Sequence, residues 1–238
     1  MKILLLASQH GDELLGEKLY EYLKRSHLEL LPSIEFKIAN PPAHQRGVRF
    51  IVSDMNRSYT TDLKTDEAIL AAKLLKYIRQ QQFDLVLDLH TTRCVQPPCL
   101  IVRRVQTRNE RFISASSYNH IVLMRDRIVE SSLIGNVDSA VSVEVSGDDL
   151  GDEIYEQLCS DIRRYIDGER SSAKKDFFEV LGLLRKDELP ASEANRLVNF
   201  QKSSRGFYPI LVGENSYKKN TDYLGFKARK VRYNESND

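Results

Sequence analysis

The chain has little cysteine, no tryptophan and almost no net charge. Of its 238 residues only three are cysteines (Cys94, Cys99 and Cys159), and no two of them form a CxxC pair. This usage argues against a disulfide framework or a cysteine-rich zinc site and suits a reducing compartment. Lysine and arginine number 35 and aspartate and glutamate 34, a net charge of +1. The overall charge therefore gives no reason to expect a nucleic-acid partner or an anionic membrane surface.

Long hydrophobic runs and nucleotide-binding motifs are also missing from the sequence. The apolar run at residues 3–7 (ILLLA) is far too short to span a bilayer, and the SQHGDE that follows does not resemble a signal-peptide cleavage site. No GxGxxG or P-loop pattern occurs, so a nucleotide is not expected. These features predict a cytoplasmic protein with no membrane partner.

Short apolar runs alternate with longer amphipathic stretches, which is typical of βαβ units in an α/β fold. Strands are predicted at residues 2–7, 34–39, 48–52, 84–89, 99–103, 120–124 and 139–145. Helices are predicted at residues 13–26, 65–81, 108–117 and 149–166, the last of them ended by Gly168. In the helix at 65–81, the predicted buried face includes Ile69, Ala72, Leu75 and Ile78.

A polar stretch at residues 167–175 divides the chain into two predicted units. The first, residues 1–168, carries the α/β pattern. The second, residues 176–238, has shorter apolar runs, more glycine and proline and several tyrosines. These features indicate a small, mostly β C-terminal domain behind a linker.

Two histidines and one glutamate form a candidate metal set. His10 and Glu13 follow the first predicted strand at a spacing that projects both from one face of a turn. His90 ends the strand at 84–89, and ligands bind at the carboxyl ends of strands in parallel sheets. Two imidazoles and a carboxylate form an open zinc set, and Asp88 could accept the hydrogen bond of the other His90 nitrogen. Each histidine taken singly is also typical of a hydrogen-bonded loop residue.

Basic residues near the third predicted strand are candidates for binding a carboxylate. Within residues 48–53, Arg49 interrupts an apolar alternation and therefore needs a partner. Asn56 and Arg57 place an amide beside a planar guanidinium, a pair suited to bidentate capture of a substrate carboxylate. The alternative is a salt bridge at the strand end, for example with Asp54.

Glu144 interrupts the valine-rich strand at 139–145. Val141, Val143 and Val145 occupy one face of this strand, and Glu144 lies on the other. A carboxylate in an apolar setting has its pKa raised toward neutrality, which suits a general base acting on water. A half-exposed glutamate on an edge strand is the alternative.

Four segments in this order resemble the succinylglutamate desuccinylase/aspartoacylase family, a branch of the zinc carboxypeptidase-like hydrolases. They are HGDE at 10–13, DMNR at 54–57, DLHTT at 88–92 and VEV at 143–145, and a weaker match, LVGENSY, follows at 211–217. No single motif is specific, but the ordered set is. The resemblance implies a three-layer α/β/α fold around a mixed central sheet, with a small β-rich C-terminal domain that narrows the mouth of the site.

The resemblance also implies a role for each candidate. His10, Glu13 and His90 would bind one Zn²⁺ per subunit. Arg49 would polarise the scissile carbonyl, Glu144 would activate water, and a final set would bind substrate: Asn56, Arg57 and Tyr217. The implied activity is zinc-dependent hydrolysis of the amide bond of an N-acyl amino acid such as N-acetylaspartate or N-succinylglutamate.

The implied partner is this small-molecule substrate, and the chain could also form a homo-oligomer. A metallocarboxypeptidase acting on a peptide C-terminus is the alternative function, since it would share the zinc and the Asn-Arg pair. Aspartate-type specificity would need a second substrate-reading arginine, for which the candidates are Arg103, Arg104, Arg125 and Arg127.

Overall fold

A nine-stranded mixed sheet organises the chain in the computed structural model, which describes residues 1–62, 64–125, 127–214 and 221–233. In chain order the strands are β1 (Ile3–Ala7), β2 (Ile34–Ile38), β3 (Leu85–Thr92), β4 (Cys99–Val102), β5 (His120–Leu123), β6 (Ala140–Ser146), β7 (Asp176–Arg185), β8 (Tyr208–Ile210) and β9 (Tyr223–Val231). Across the sheet their order is β2-β1-β3-β6-β4-β5-β7-β9-β8. The first four in this order are mutually parallel, and β4 runs antiparallel to β6.

Helices cover both faces of the sheet. The α-helices are α1 (Leu15–Ser26), α2 (Pro41–Arg46), α3 (Asp66–Gln81), α4 (Thr107–Ala115), α5 (Leu133–Asn136), α6 (Asp152–Asp167) and α7 (Ala191–Ala194). Alternate residues of β1 point to opposite faces: Leu4 and Leu6 pack in the core that includes α3, whereas Ile3 and Leu5 pack in the core that includes α1, α4 and α6. The three-layer α/β/α fold with a mixed sheet is thus confirmed.

The prediction of a strand at residues 48–52 is wrong, because these residues form a loop. Their apolar side chains are not packed on a sheet, and Val52 is 62% exposed. The backbone N–H groups of Ile51 and Val52 donate instead to Oε1 of Glu67, at 2.8 and 3.0 Å. A buried carboxylate on α3 therefore takes the donors that a neighbouring strand would otherwise have satisfied.

The buried face of α3 also differs from the predicted one. Ile69 is 46% exposed and Ala72 is exposed as well. The helix buries Ala68, Ala71 and Leu74 together with the predicted Leu75 and Ile78. The apolar stripe is rotated from the predicted one because the first turn buries Glu67 to reach the loop at 48–53.

The C-terminal strands continue the main sheet. β7 pairs in parallel with β5, and β9 pairs antiparallel with both β7 and β8. Gly168, with a φ of 77°, ends α6 as expected. The division into domains 1–168 and 176–238 stays a prediction, and the strands of the second unit lie in the same sheet as those of the first. None of the helices in the described part of the chain has the length and apolar character needed to cross a membrane.

Candidate metal centre and active site

A tight turn after β1 brings His10 and Glu13 onto one side of the chain. Ser8 adopts a left-handed conformation with a φ of 55°, which turns the backbone out of the strand. Gly11 then passes against α2 so closely that a Cβ atom there would lie 2.2 Å from the carbonyl carbon of Ala43. The turn therefore requires glycine at this position.

His10, Glu13 and His90 converge at the carboxyl ends of β1 and β3. The Nδ1 atom of His10 lies 2.6 Å from Oε1 of Glu13, and the Nδ1 atom of His90 lies 2.8 Å from Oε2 of the same carboxylate. One ligand atom from each residue lies within 4.8 Å of the other two, and all three residues are buried. The structure thus brings together the residues that the sequence indicated as a metal set, although β3 continues two residues past His90.

Each imidazole turns its other nitrogen to an aspartate. Nε2 of His10 lies 3.0 Å from Oδ1 of Asp54, and Nε2 of His90 lies 2.9 Å from Oδ2 of Asp88. An aspartate that accepts the Nε2–H bond fixes the tautomer in which Nδ1 carries a lone pair. Both lone pairs then face Glu13. The contact of Asp88 matches its expected role, whereas the sequence reasoning considered Asp54 only as a partner of arginine.

The electrostatics of this cluster fit a cation. Burial works to raise the pKa of Glu13, but the facing imidazoles outweigh it and hold the pKa well below its usual range. Burial works to lower the pKa of His90, but Asp88 and Glu13 outweigh it and raise the pKa well above its usual value. The carboxylates thus attract positive charge into a buried site. Two imidazole nitrogens and one carboxylate oxygen are also a donor set that suits zinc.

The carboxylate of Asp88 is itself held by a buried network. Its Oδ2 atom accepts hydrogen bonds from Gln9 Nε2 at 2.7 Å and from Ser142 Oγ at 3.0 Å, in addition to the His90 contact. The Gln9 amide is oriented in turn by Tyr59, whose hydroxyl donates to Gln9 Oε1 at 2.7 Å. The sequence reasoning missed Gln9 and Tyr59, because nothing local in either segment marks a partner so distant in the chain.

The loop that follows α2 places the basic candidates beside the same cluster. Nη1 of Arg49 lies 3.2 Å from Oε1 of Glu13, and Nη2 lies 3.9 Å from Oδ2 of Asp54. The salt bridge with Asp54 that the sequence left open is therefore present, alongside a contact with Glu13. Asp54 also caps the short 3₁₀ helix Met55–Arg57 by accepting from the Asn56 backbone N–H at 2.9 Å. This cap holds Asn56 and Arg57 at the cavity.

Glu144 lies opposite His90 in the register of β6 and β3. The flanking valines pack in the core on the other face of the sheet, as the alternation predicted, and Glu144 lines the same cavity as His10 and Glu13. Glu144 is half-buried, and the partial loss of water around its carboxylate raises its pKa to about 7. A carboxylate with such a pKa can take up and release a proton near neutral pH.

The cavity has a volume of about 660 Å³ when its opening to solvent is included. The C-terminal part of the chain contributes Leu211 and Glu214, which follow β8, and Phe226 of β9 to its wall. Glu214 fastens this wall to the end of β3, because its Oε2 atom accepts from Thr92 Oγ1 and from the Arg93 backbone N–H, both at 2.8 Å. Glu214 belongs to the LVGENSY match but received no role from the sequence. Tyr217, the predicted substrate ligand of that match, lies outside the described residues.

Comparisons with known proteins identify the family of the chain. Residues 1–144 match the profile of the succinylglutamate desuccinylase/aspartoacylase catalytic domain. A probable aspartoacylase of Prochlorococcus marinus is 31% identical over 98 residues, which are 38% of this chain and 33% of the relative. The alignment thus spans about a third of the length of that curated relative.

Solved structures resemble the whole fold. Murine aminoacylase 3 matches with a TM-score of 0.71 and 18% identity over 98% of this chain and 96% of the other. The succinylglutamate desuccinylase of Chromobacterium violaceum matches with a TM-score of 0.71 and 16% identity over 98% of this chain and 85% of the other. The profile match covers more than half of the chain. The chain therefore belongs to the succinylglutamate desuccinylase/aspartoacylase family.

Proposed function

We propose that this chain is a zinc-dependent amidohydrolase that cleaves the amide bond of an N-acyl amino acid, releasing a carboxylate and a free amino acid. The observation that carries the proposal is the convergence of both Nδ1 atoms on Glu13, in a cavity that also contains Glu144 and Arg49. Amide hydrolysis needs an activated water, a polarised carbonyl and a proton for the leaving amine, and this cavity offers a group for each.

His10, Glu13 and His90 would hold the zinc. When bound there, zinc would supply a Lewis acid that lowers the pKa of water to about 7 and polarises a carbonyl oxygen. The aspartates keep the imidazoles in the ligating tautomer, because Asp54 and Asp88 accept the Nε2–H bonds.

Glu144 would act as the general base and then as the acid. Its carboxylate would take a proton from the attacking water and pass it to the nitrogen of the leaving amine. Burial supports both steps, since a pKa of about 7 makes proton uptake and release nearly equal in cost at neutral pH.

The arginines would act at two ends of the substrate. Arg49 would place positive charge where the oxyanion develops, close to Glu13. Asn56 and Arg57 would hold the α-carboxylate of the amino acid. The Asn56 side chain is oriented for this, because its Oδ1 accepts from the Leu133 backbone N–H at 3.2 Å. Tyr217 is proposed to reach the substrate from the C-terminal segment.

The wall formed by Leu211, Glu214 and Phe226 supports a deacylase over a metallocarboxypeptidase. A carboxypeptidase must leave space for the rest of a peptide chain beyond the scissile bond. Here Leu211, Glu214 and Phe226 narrow the cavity, and Glu214 fastens this wall to β3. A small acyl group fits such a cavity better than a peptide.

A substrate screen with the zinc-loaded protein tests the proposal. N-acyl amino acids and short peptides are assayed side by side by release of free amino acid. We expect hydrolysis of N-acyl amino acids, with loss of turnover but retention of zinc in Glu144→Gln. The exposed Glu153 provides a matched control, since Glu153→Gln should leave turnover unchanged. Peptide hydrolysis alone would favour the carboxypeptidase, and unchanged activity in Glu144→Gln would refute the role of this residue.

A further inference from the structure

One wall of the cavity is apolar and continuous. Six of the side chains that line the cavity belong to a single cluster of buried apolar residues. They are Ile101, Met124, Val129, Ile134, Leu211 and Phe226. A cluster of this kind gains free energy when it covers an apolar group and loses free energy when it covers a charged one.

This apolar wall lies beyond Glu144 as seen from the metal set. His10 follows β1 and His90 lies on β3, and the next strand across the sheet, β6, carries Glu144. Ile101 lies on β4, the strand that follows β6, and Met124 comes directly after β5. A substrate that reaches the metal set and Glu144 therefore extends its remaining part toward the apolar wall.

Three of the hydroxyl groups that line the cavity already donate to other groups of the protein. Ser132 Oγ donates to the Val129 carbonyl at 2.7 Å, and Ser142 Oγ donates to Asp88 at 3.0 Å. Thr92 Oγ1 donates to Glu214 at 2.8 Å. Two glutamates, Glu144 and Glu214, also line the cavity, and neither offers a positive charge to a substrate carboxylate.

The expected second substrate-reading arginine is not found among its four candidates. Arg103 donates to the Gly135 carbonyl at 2.8 Å, and Arg125 pairs with Glu179 at 3.1 Å; both are exposed. Arg104 and Arg127 are exposed as well. Within the described part of the chain, two arginines line the cavity, Arg49 and Arg57. Arg49 contacts Glu13 of the metal set at 3.2 Å, and Arg57 follows the Asn56 that contacts Leu133.

We infer that the substrate is an N-acyl amino acid with a single carboxylate and an apolar side chain, rather than an N-acyl dicarboxylic amino acid. The inference rests on the proposed function. Arg57 and Asn56 take the one carboxylate. The side chain lies against the Ile134 part of the apolar wall, because the neighbouring Leu133 donates its backbone N–H to Asn56 Oδ1 at 3.2 Å. A second carboxylate would be buried against Met124 and Ile134, where the described residues offer it no cation. Burying an unpaired carboxylate costs free energy, so such a substrate would bind less tightly.

Relative kcat/KM values of the zinc-loaded protein test the inference. N-acetyl-L-leucine and N-acetyl-L-methionine are compared with N-acetyl-L-aspartate at low ionic strength. We expect the apolar substrates to be preferred by about 100-fold or more. Equal or better hydrolysis of N-acetyl-L-aspartate would overturn the inference while leaving the proposed function intact. Hydrolysis of none of them would overturn both.

A charge introduced into the wall gives a converse test. Met124→Arg adds a guanidinium on an unbranched side chain of similar length, and Met124→Leu is the matched control. The ratio of kcat/KM for N-acetyl-L-aspartate to that for N-acetyl-L-leucine should rise at least tenfold in the arginine variant alone. An unchanged ratio in a folded Met124→Arg variant would overturn the inference.

Binding to the Glu144→Gln variant keeps the inference testable even if Met124→Arg does not fold. Isothermal titration with N-acetyl-L-leucine and N-acetyl-L-aspartate measures recognition without turnover. We expect the leucine derivative to bind at least tenfold more tightly. Tighter binding of the aspartate derivative would refute the apolar assignment.

Discussion

The Nε2 atom of His90 lies 2.9 Å from Oδ2 of Asp88, two residues earlier on the same strand. Side chains two residues apart on a strand point to the same face, so β3 supplies both the imidazole and the group that orients it. The arrangement directs Nδ1 of His90 to Glu13. His10 reaches the same orientation through Asp54, which comes from a loop far away in the sequence.

Asp88→Asn should weaken zinc binding by about 10- to 100-fold. The amide of the variant can donate to Nε2 of His90, which stabilises the tautomer that carries its proton on Nδ1 and so opposes ligation. Competition with a chromophoric chelator measures the affinity.

Ser142→Ala is the matched control for this variant. It removes another hydrogen bond to the same Oδ2 atom but leaves the His90 contact in place. We expect a much smaller change in zinc affinity. Equal loss in both variants would point to a general disturbance of the network, and wild-type affinity in Asp88→Asn would contradict the tautomer argument.

The zinc content of the purified protein should depend on His90. Elemental analysis should find close to one zinc per wild-type chain and almost none in His90→Ala, because two ligands do not retain the ion. His120→Ala is the control, since His120 packs against Phe178 and Phe200 away from the metal set. Absence of divalent metal from the wild type after incubation with zinc would refute the metal site.

The fold class and the convergence of His10, Glu13 and His90 could be predicted from the sequence because their signals are local. Apolar runs mark β1, β3 and β6. The segments HGDE and DLHTT lie at or beside the carboxyl ends of strands, where parallel sheets bind ligands. Their meeting follows from the parallel pairing of β1 with β3. The valine alternation likewise placed Glu144 on the cavity side of β6.

Long-range contacts explain what the sequence did not reveal. Alternation at 48–52 resembled a strand, but Glu67, on a helix beyond the loop, binds the backbone N–H groups there. The partnership of His10 with Asp54 bridges 44 residues, and that of Thr92 with Glu214 bridges 122. Hydrophobic periodicity predicts local secondary structure and does not indicate which distant residues pair.

Substitutions of the two cavity arginines should affect different kinetic constants. Arg57→Ala should mainly raise KM, because it removes a contact with the carboxylate that persists from the bound substrate to the transition state. Arg49→Ala should mainly lower kcat, by about 100- to 1,000-fold, because it removes charge that matters most when the oxyanion forms.

Steady-state kinetics on the preferred N-acyl amino acid distinguishes the two effects. Arg93→Ala is a suitable control, since Arg93 pairs with Asp12 at 3.0 Å and is 60% exposed. A fall in kcat with unchanged KM in Arg57→Ala would contradict its assignment to carboxylate binding.

The ionisation of Glu144 should be visible in both stability and activity. Burial raises its pKa in the folded chain from the ordinary 4.5 to about 7. The folded state therefore holds this proton more tightly than the unfolded state, and the free energy of unfolding should fall as pH rises from about 4.5 to 7. Glu144→Gln cannot ionise, so its stability should exceed that of the wild type above pH 7, and the difference should shrink toward pH 4.5. Thermal unfolding of the metal-free proteins across this range measures the difference.

The pH dependence of activity reports the same ionisation of Glu144. A general base works only when deprotonated, so kcat/KM should fall about tenfold per pH unit below the pKa. Glu214→Gln, which alters a second buried carboxylate of the cavity, is the control. It should show the same fall of kcat/KM at low pH as the wild type. Infrared difference spectra of metal-free wild type against Glu144→Gln assign the titration to the carboxyl group itself, independently of any metal. A carboxyl that titrates near 4.5 in these spectra would show that the apolar strand does not tune Glu144, and the base would then have to be sought elsewhere in the cavity.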